Sequence, residues 1–416
     1  MADRRVVITG MGTVNPLGNS VQESWQTVMN RESGIGPITH FDPSSLSVQI
    51  AGEVRDFDVT LCVDGETAKK TRRMDRFCHY VLGATREAWD QAGLSAVDDP
   101  RRIGVGLGSG IGGLNVQHDN SVQLATKGPR RVSPFYIPMS IGNMAAGVVS
   151  MIFGVKGPNI SLQTACATAN HSVGIATLMI RAGMADVMIS GASEGSVNEL
   201  AIAGFANMHA LSTRNDDPTT ASRPYDANRD GFVLSEGAAV LVLEEYEHAL
   251  KRGATILAEV LSCGMSGDAH DFVAPDPSGS GARYAMEMAL SQAGIGPEAI
   301  DYVNTHGTST PAGDLAELRG IYAVLGPQAK KAYISSTKGY HGHLLGATAG
   351  LEAILTVMAM QHDTVPANLN LNTPDPDLPA VQLPTEHVTT PVTTALSNSF
   401  GFGGHNSSLL LRRVQA

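Results

Sequence analysis

The sequence is poor in charged residues, in aromatic residues and in cysteine. Charged side chains make up 17% and aromatic ones 5% of the 416 residues, and the net charge is −11. This excess of acidic groups argues against a general surface for nucleic acid or anionic membranes, although local basic patches are still compatible with it. No uncharged apolar run approaches the length of a membrane span, and the chain enters a predicted strand without a signal-peptide apolar region.

The cysteines also narrow the possible kinds of site. They are scattered at Cys62, Cys78, Cys166 and Cys263, with no CxxC pair and no Cys/His ligand spacing. That pattern argues against a zinc site or a disulfide framework, and it favours a reducing compartment, so we expect a cytoplasmic protein. Glycine, in contrast, is abundant at 45 residues beside 43% hydrophobic residues. A tightly packed α/β protein with short turns fits this balance.

Short apolar runs alternate with helical patterns along the chain, and the pattern restarts near Gly253. The first half predicts strands at 5–10, 102–107, 186–191 and 237–244, with the first strand ending in a turn at Gly10–Gly12. The second half predicts strands at 256–265, 300–304, 332–336 and 395–400. We therefore predict an α/β fold of two duplicated βαβ-type halves, 1–253 with inserted segments and 254–416, with parallel sheets covered by helices.

The stretch from Asn159 to Met179 carries the most specific chemical pattern. A short apolar run predicts a buried strand, which leads through a turn to small and apolar residues at helical spacing. This arrangement presents Cys166 at a helix start, where unpaired N–H groups and the helix dipole favour a thiolate. Alanines on both sides of the cysteine would let a bulky thioester approach. A free cysteine among small residues is also a common core filler, so catalysis requires partners elsewhere.

Three further segments place polar side chains at the ends of predicted strands. They are NTHGTSTPAGD at 304–314, SSTKGYHGH at 335–343 and NSFGFGG at 398–404. Because ligands bind at the carboxyl ends of strands in α/β folds, we expect these segments to converge on Cys166. Taken singly, a histidine after a strand, Lys338 or Phe402 would more often have a structural role. Their convergence on a duplicated scaffold favours a catalytic site.

Two basic clusters interrupt the acidic background. The first contains Lys69, Lys70, Arg72 and Arg73, with Arg76 nearby, and opens a predicted helix; the second contains Lys127, Arg130 and Arg131. Such runs are usually solvated faces. A binding surface for an acidic protein or a phosphate is about equally consistent with the sequence.

Together, the motifs TACATAN, NTHGTST, STKGYHGHLLGATAG and NSFGFGG resemble those of the β-ketoacyl-acyl carrier protein synthases of the thiolase fold. Their order and spacing are similar to the bacterial synthase II type, from RVVITGMG at the start to GGHNSSLLL at the end. The resemblance implies a thiolase-like fold with a layered α-β-α-β-α core. It also implies decarboxylative condensation of malonyl-acyl carrier protein with an acyl-enzyme thioester, which elongates a fatty acyl chain by two carbons.

The resemblance also implies a role for each candidate residue. Cys166 is acylated, activated by the helix dipole without a neighbouring base, and neutral His306 and His343 stabilise the enolate. The backbone N–H groups of Cys166 and Phe402 form an oxyanion hole, and Phe402 gates the cysteine. Lys338 supports the histidines in a network with Asp314 and Glu317, and a monovalent cation lies near Asn304, Glu352 and Asn398. Substrate is bound by Thr308, Thr310, Ile111 and Phe400. The implied docking residues for the carrier protein are Lys69, Lys70, Arg72, Arg73, Lys127, Arg130 and Arg131.

The same resemblance implies a homodimer that uses acyl carrier protein as its partner, with no cofactor, no catalytic metal, no nucleic acid and no membrane.

Four alternatives fit the residues less well. A thiolase needs a second reactive cysteine near its C-terminus, a synthase III-type enzyme carries Asn in place of His343, and a chain-length factor has lost the cysteine. A module that only binds carrier protein would not need Cys166 with two histidines. A ketosynthase of a secondary-metabolite, polyketide-type pathway stays open.

Overall fold

A computed structural model of the protein describes residues 4–94 and 99–414. Its strands, in chain order, are β1 (Val6–Val14), β2 (Gly36–Pro37), β3 (Ile50–Ala51), β4 (Ile103–Gly108), β5 (Asn159–Ile160), β6 (Val187–Glu194), β7 (Gly237–Glu245), β8 (Ala258–Gly267), β9 (Tyr302–Asn304), β10 (Tyr333–Ser335), β11 (Thr364–Val365), β12 (Val388–Thr389), β13 (Thr394–Gly401) and β14 (His405–Arg412). Strands β2 and β3, and likewise β11 and β12, form small antiparallel ribbons outside the main sheet.

Thirteen α-helices lie within the described residues. In chain order they are α1 (Val21–Met29), α2 (Gly65–Thr71), α3 (Arg76–Ala92), α4 (Leu114–Lys127), α5 (Tyr136–Ser140), α6 (Met144–Phe153), α7 (Thr168–Arg181), α8 (Glu199–Asn207), α9 (Tyr246–Lys251), α10 (Ser280–Ala293), α11 (Pro311–Leu325), α12 (Lys338–His341) and α13 (Thr348–His362). None of these helices, within the described residues, is long and apolar enough to cross a membrane.

Strand pairing confirms the duplicated scaffold. Within the described residues the main sheet has the order β10-β9-β13-β14-β8-β1-β7-β6-β4-β5. Each half contributes five strands to this sheet, which we number 1 to 5 in chain order within the half. Read from the outer edge of the sheet to its centre, both halves have the order 3-2-4-5-1. In each half the two outer pairings are parallel and the two inner ones antiparallel. The halves meet where Val6, Val7 and Ile8 of β1 pair with β8.

Two local predictions are wrong. The sheets are mixed rather than parallel, because β7 and β1, like β14 and β8, run antiparallel to their neighbours. Strand β1 also continues to Val14 through the glycines predicted to form a turn. A Cβ atom at Gly10 would lie 2.2 Å from the carbonyl oxygen of Ala88, and one at Gly12 would lie 2.0 Å from that of Ala84. These glycines allow helix α3 to pack closely on the strand.

The layers agree with the α-β-α-β-α core. Helices α3 and α6 cover the outer face of the first half-sheet, α10 covers that of the second, and α7 and α13 lie between the two. Helix α13 is buried on all sides from Thr348 to Met360, which explains why it is apolar throughout rather than amphipathic. The middle position of α7 and α13 brings the start of each helix to the centre of the molecule.

Candidate active site

The two central helices begin with the same backbone turn. A short 3-10 turn at Ala165–Ala167 precedes α7, and one at Leu345–Ala347 precedes α13. Each turn starts with a non-glycine residue at positive φ, +49° at Ala165 and +47° at Leu345. Such strained conformations persist only where the surroundings fix them, and they are concentrated at functional sites. The duplication thus gives Cys166 and Gly346 equivalent places.

Cys166 is buried, with 7% of its surface exposed. Its Sγ atom lies 3.0 Å from Nε2 of His343. Burial raises the pKa of Cys166 to about 12, although the ammonium of Lys338 and the N–H groups of Cys166 and Phe402 oppose that rise. The expectation of a dipole-activated thiolate without a neighbouring group is therefore wrong for the resting site. Desolvation exceeds the effect of the helix start, and an imidazole contacts the thiol.

The two predicted histidines meet across this site. His306 follows β9 and His343 follows α12, and their ring centroids lie 5.4 Å apart at an interplanar angle of 82°. Burial, followed by the nearby charge of Lys338, lowers the pKa of both imidazoles well below the usual value. Both rings are neutral at physiological pH, as the enolate-stabilising role requires. Nδ1 of His343 lies 2.9 Å from Oγ1 of Thr348, a hydroxyl that can either donate or accept.

The direct partner of Lys338 differs from the prediction. Its Nζ atom lies 2.5 Å from Oε1 of Glu352, and both side chains are buried. The predicted partner Asp314 instead faces Arg229, whose Nε lies 3.3 Å from Oδ2. Glu317 accepts hydrogen bonds from the backbone N–H groups of His306 and Gly307. Through these two hydrogen bonds, Glu317 fixes the backbone of the loop that carries His306. Burial raises the pKa of Glu317 to about 7.

The residues of the predicted cation site lie beside this pair. Oδ1 of Asn304 and Oε2 of Glu352 are buried and have no hydrogen-bond partner among the described residues. Oδ1 of Asn398 accepts a hydrogen bond from Ser408. The oxygens of Asn304 and Glu352 that lack a hydrogen-bond partner are ligands of the kind that a monovalent cation binds. The oxygen of Asn398 already accepts the hydrogen bond from Ser408.

The third predicted segment forms the turn between β13 and β14. Gly403 and Gly404 have φ values of +81° and +75°, which glycine adopts without steric cost. A Cβ atom at Gly401 would lie 3.1 Å from the backbone nitrogen of Cys166, so glycine lets this strand end approach the nucleophile turn. The N–H groups of Phe402 and Cys166 consequently face the same sulfur.

A cavity of about 620 Å³ joins these groups. The predicted residues that line it are Cys166, His306, His343, Glu317, Thr308, Thr310, Ile111, Phe400 and Phe402. Sequence reasoning did not identify the side chains that residues 205–232 contribute to this cavity. Phe205 and Met208, on and just after α8, and Phe232 line the same cavity. Their spacing carries no strand or helix period strong enough to identify them.

Glu194 was also missed. It is completely buried at the end of β6. Its carboxylate accepts hydrogen bonds from the N–H groups of Gly110, Ile111 and Gly346 and from the hydroxyls of Ser109 and Ser196. Glu194 therefore ties the Ile111 loop of one half to the Gly346 turn of the other. In the sequence, the feature that could have identified Glu194 is its position as a lone acidic residue at the end of an apolar strand.

The two basic clusters lie on the surface. All seven side chains are exposed, and none forms a salt bridge with another described residue. The first cluster ends α2 and precedes α3 rather than opening one helix. The guanidinium of Arg73 lies 4.5 Å from the ring centroid of Phe135, in the segment that follows the second cluster. The clusters are thus connected in space.

Comparison with known proteins shows the family of this chain. The chain matches the family described as "Beta-ketoacyl synthase, N-terminal domain" over residues 3–249 and the corresponding C-terminal domain over 257–372. It is 49% identical over 415 residues to the 3-oxoacyl-[acyl-carrier-protein] synthase 2 of Coxiella burnetii, covering 100% of both chains. It is 48% identical over 419 residues to the protein of that name in Vibrio cholerae, again covering 100% of both.

Solved structures agree with the fold. A beta-ketoacyl synthase from Burkholderia phymatum has a TM-score of 0.91 and 35% identity, covering 99% of this chain and 100% of that one. A ketosynthase in complex with its type II PKS acyl-carrier protein has a TM-score of 0.91 and 30% identity, with the same coverage.

Proposed function

The chain belongs to the β-ketoacyl synthase family, and from this membership we propose that it is a type II 3-oxoacyl-acyl carrier protein synthase. Such an enzyme condenses malonyl-acyl carrier protein with an acyl group held on a cysteine and elongates a fatty acyl chain by two carbons. The observation that carries the proposal is the contact of Sγ of Cys166 with Nε2 of His343, with His306 facing the same cavity. The full-length relatives at 46–49% identity favour fatty acid synthesis over a polyketide pathway.

The first half-reaction transfers the acyl group to Cys166. The sulfur attacks the thioester carbonyl, the carrier's sulfur leaves, and the thiol proton passes to that leaving group. The resting thiol is protonated, and His343 at 3.0 Å can relay its proton to the leaving sulfur as the attack proceeds, without holding it, because the pKa of His343 lies far below that of the thiol. The N–H groups of Cys166 and Phe402 stabilise the oxyanion that forms on the carbonyl oxygen.

The second half-reaction removes the malonyl carboxylate as carbon dioxide. His306 and His343 donate hydrogen bonds to the thioester oxygen, where the enolate charge develops, and the enolate carbon then attacks the acyl-cysteine. Loss of one such donor typically costs about 3–4 kcal/mol of transition-state stabilisation. The Thr348 hydroxyl beside Nδ1 of His343 can accept from or donate to that atom. It therefore accommodates both the tautomer that accepts the thiol proton and the one that donates to the enolate.

The remaining predicted residues support these steps. Burial, assisted by the charge of Lys338, keeps both imidazoles neutral, and Glu317 fixes the loop of His306. Thr308 and Thr310, whose hydroxyl oxygens lie 2.9 Å apart at the cavity wall, bind the pantetheine arm. Ile111 and Phe400 line the acyl site, and Phe402 gates it. A monovalent cation held by Asn304 and Glu352 would compensate buried negative charge, and it takes part in no step.

The acidic acyl carrier protein binds the two connected basic clusters. This is supported by their exposure and by the absence of salt bridges within the described residues. Electrostatic attraction of this kind speeds encounter and weakens with added salt.

The protein acts as a cytoplasmic homodimer. Within each chain, the boundary between the two duplicated halves lies between residues 253 and 254. The dimer is supported by the position of the short strand β5 at the edge of the sheet and by exposed apolar side chains on α5 and α6, including Ile137 and Met151, which are 61% and 67% exposed. An outer strand edge and exposed large apolar side chains are both features that protein–protein interfaces cover.

The decisive experiment supplies acyl-carrier proteins of graded chain length together with labelled malonyl-carrier protein. We expect 3-ketoacyl products two carbons longer, carbon dioxide in equal amount, and loss of both in Cys166→Ala. Repeated addition to give poly-β-keto chains would favour the polyketide alternative. Full activity of purified Cys166→Ala would contradict the proposed nucleophile.

A further inference from the structure

The catalytic trio has the donor set of a transition-metal site. Within the described residues, one ligand atom each from Cys166, His306 and His343 lies within 4.8 Å of the other two. One thiolate and two imidazoles form the Cys/His set that binds Zn²⁺, with metal–sulfur and metal–nitrogen distances of about 2.3 and 2.0 Å. In a tetrahedral site these donors would lie roughly 3.3–3.6 Å apart, so Sγ of Cys166 and Nε2 of His343, now 3.0 Å apart, need only a small movement.

The surroundings suit a bound cation despite the nearby lysine. The charge of Lys338 acts on both imidazoles and disfavours a second cation, but its pairing with Glu352 at 2.5 Å offsets part of that charge. The trio opens into the cavity, which leaves room for water as a fourth ligand. An open fourth position is typical of zinc sites with three protein ligands. Nδ1 of His343 faces Oγ1 of Thr348, an outer partner of the kind that orients a ligating imidazole.

We propose that the deacylated enzyme binds one thiophilic divalent cation, Zn²⁺ or a similar ion, through Cys166, His306 and His343, and that acylation of Cys166 prevents binding. Binding converts the thiol to a thiolate and releases its proton to water, and no other bond changes. In the acyl-enzyme the sulfur belongs to a thioester and cannot become a thiolate ligand. The ion would occupy the nucleophile and both enolate donors at once, so it would inhibit the enzyme reversibly. Only this consequence rests on the proposed function.

Cobalt(II) is the probe, because it replaces zinc and gives a visible spectrum. Titration of the full chain with Co²⁺, without acyl substrates, should produce a thiolate-to-cobalt charge-transfer band at one ion per chain, which Zn²⁺ then abolishes by displacement. Cys166→Ser should lose the band, and His306→Ala and His343→Ala should each weaken Co²⁺ binding more than tenfold. Cys62→Ser and Cys263→Ala provide matched controls, because neither cysteine belongs to the trio, and both should retain the band.

Alkylation of wild-type enzyme with iodoacetamide provides a second test that does not depend on the folding of any variant. The alkylated protein should also lack the band. A band that survives in Cys166→Ser or after alkylation, or Co²⁺ binding unaffected by both histidine substitutions, would overturn the proposal. The spectrum requires no turnover, so an enzyme inactive in condensation that still gives the band would contradict the proposed function and leave the metal site intact.

Discussion

Sγ of Cys166 lies 3.0 Å from Nε2 of His343, although the two residues are 177 positions apart in the chain. Each is contributed by a different copy of the duplicated half: Cys166 lies in the turn that precedes α7, and His343 lies between α12 and the turn that precedes α13. The contact places a neutral imidazole beside a thiol whose pKa burial raises to about 12. The thiol therefore faces an uncharged ring as well as the N–H groups at the helix start.

The raised pKa of Cys166 predicts slow alkylation at neutral pH. Because the thiolate is the reactive form, the iodoacetamide rate should rise about tenfold per pH unit from pH 7 to 9.5 without a plateau. Mass spectrometry of the peptide containing Cys166 would measure this rate, and free cysteine in solution provides the reference. A plateau below pH 8 would show that the helix start and Lys338 overcome desolvation.

His343→Ala should separate the two half-reactions. We expect acyl transfer to Cys166 to persist at a reduced rate, because a thiol can lose its proton to water or buffer. Carbon dioxide release from labelled malonyl-carrier protein should fall by at least a hundredfold, corresponding to about 3 kcal/mol for one enolate donor. His341→Ala is the matched control, since His341 is also buried but does not line the cavity. Normal carbon dioxide release by His343→Ala would remove the proposed role.

Lys338→Met should move the acid limb of decarboxylation to higher pH. Burial and the Lys338 charge lower the pKa of His306 and His343, so wild-type activity should fall only well below pH 6.5. Without that charge both pKa values rise, so the imidazoles protonate, and activity is lost, at higher pH. The initial rate of carbon dioxide release from pH 5 to 8 measures the shift. Lys330→Met, at an exposed lysine, is the control. An equal loss of rate at every pH would indicate a merely structural lysine.

Glu194→Gln should destabilise the fold. An amide NH₂ would replace one acceptor oxygen and face backbone N–H groups of Gly110 or Gly346. Buried donors left without partners typically cost about 1–3 kcal/mol. Urea unfolding would measure the loss, with Glu199→Gln at an exposed position as control. Equal unfolding free energies for the two variants would show that Glu194 does not stabilise the contact between the halves.

Reversing the charge of Arg72, Arg73, Lys127 and Arg130 to Glu should raise the KM for acyl carrier protein. The increase should be largest at low salt and shrink as ionic strength rises, because exposed charges are screened over about 10 Å at 0.1 M. Initial rates with acyl-carrier protein at several salt concentrations measure this effect. Reversal of Lys330 and Lys331, also exposed, is the control for net charge. An unchanged KM at low salt would contradict docking at these clusters.

The sequence by itself determined the residue types of the candidate site and the duplicated order of strands and helices. Strand ends followed by Cys166, His306, His343 and Phe402 are local patterns, and their order along the chain does not depend on packing. The restart near Gly253 likewise predicted a repeated topology, which strand pairing confirmed.

Only the tertiary structure decided the long-range partners and the electrostatics. Lys338 pairs with Glu352 rather than Asp314 because the fold brings the side chain of Lys338 in α12 against that of Glu352 in α13, a placement that no spacing along the chain encodes. Glu194 reaches Gly346 of the other half for the same reason. The protonation of Cys166 depends on how completely neighbouring elements exclude water, and burial depth is a property of the packed whole.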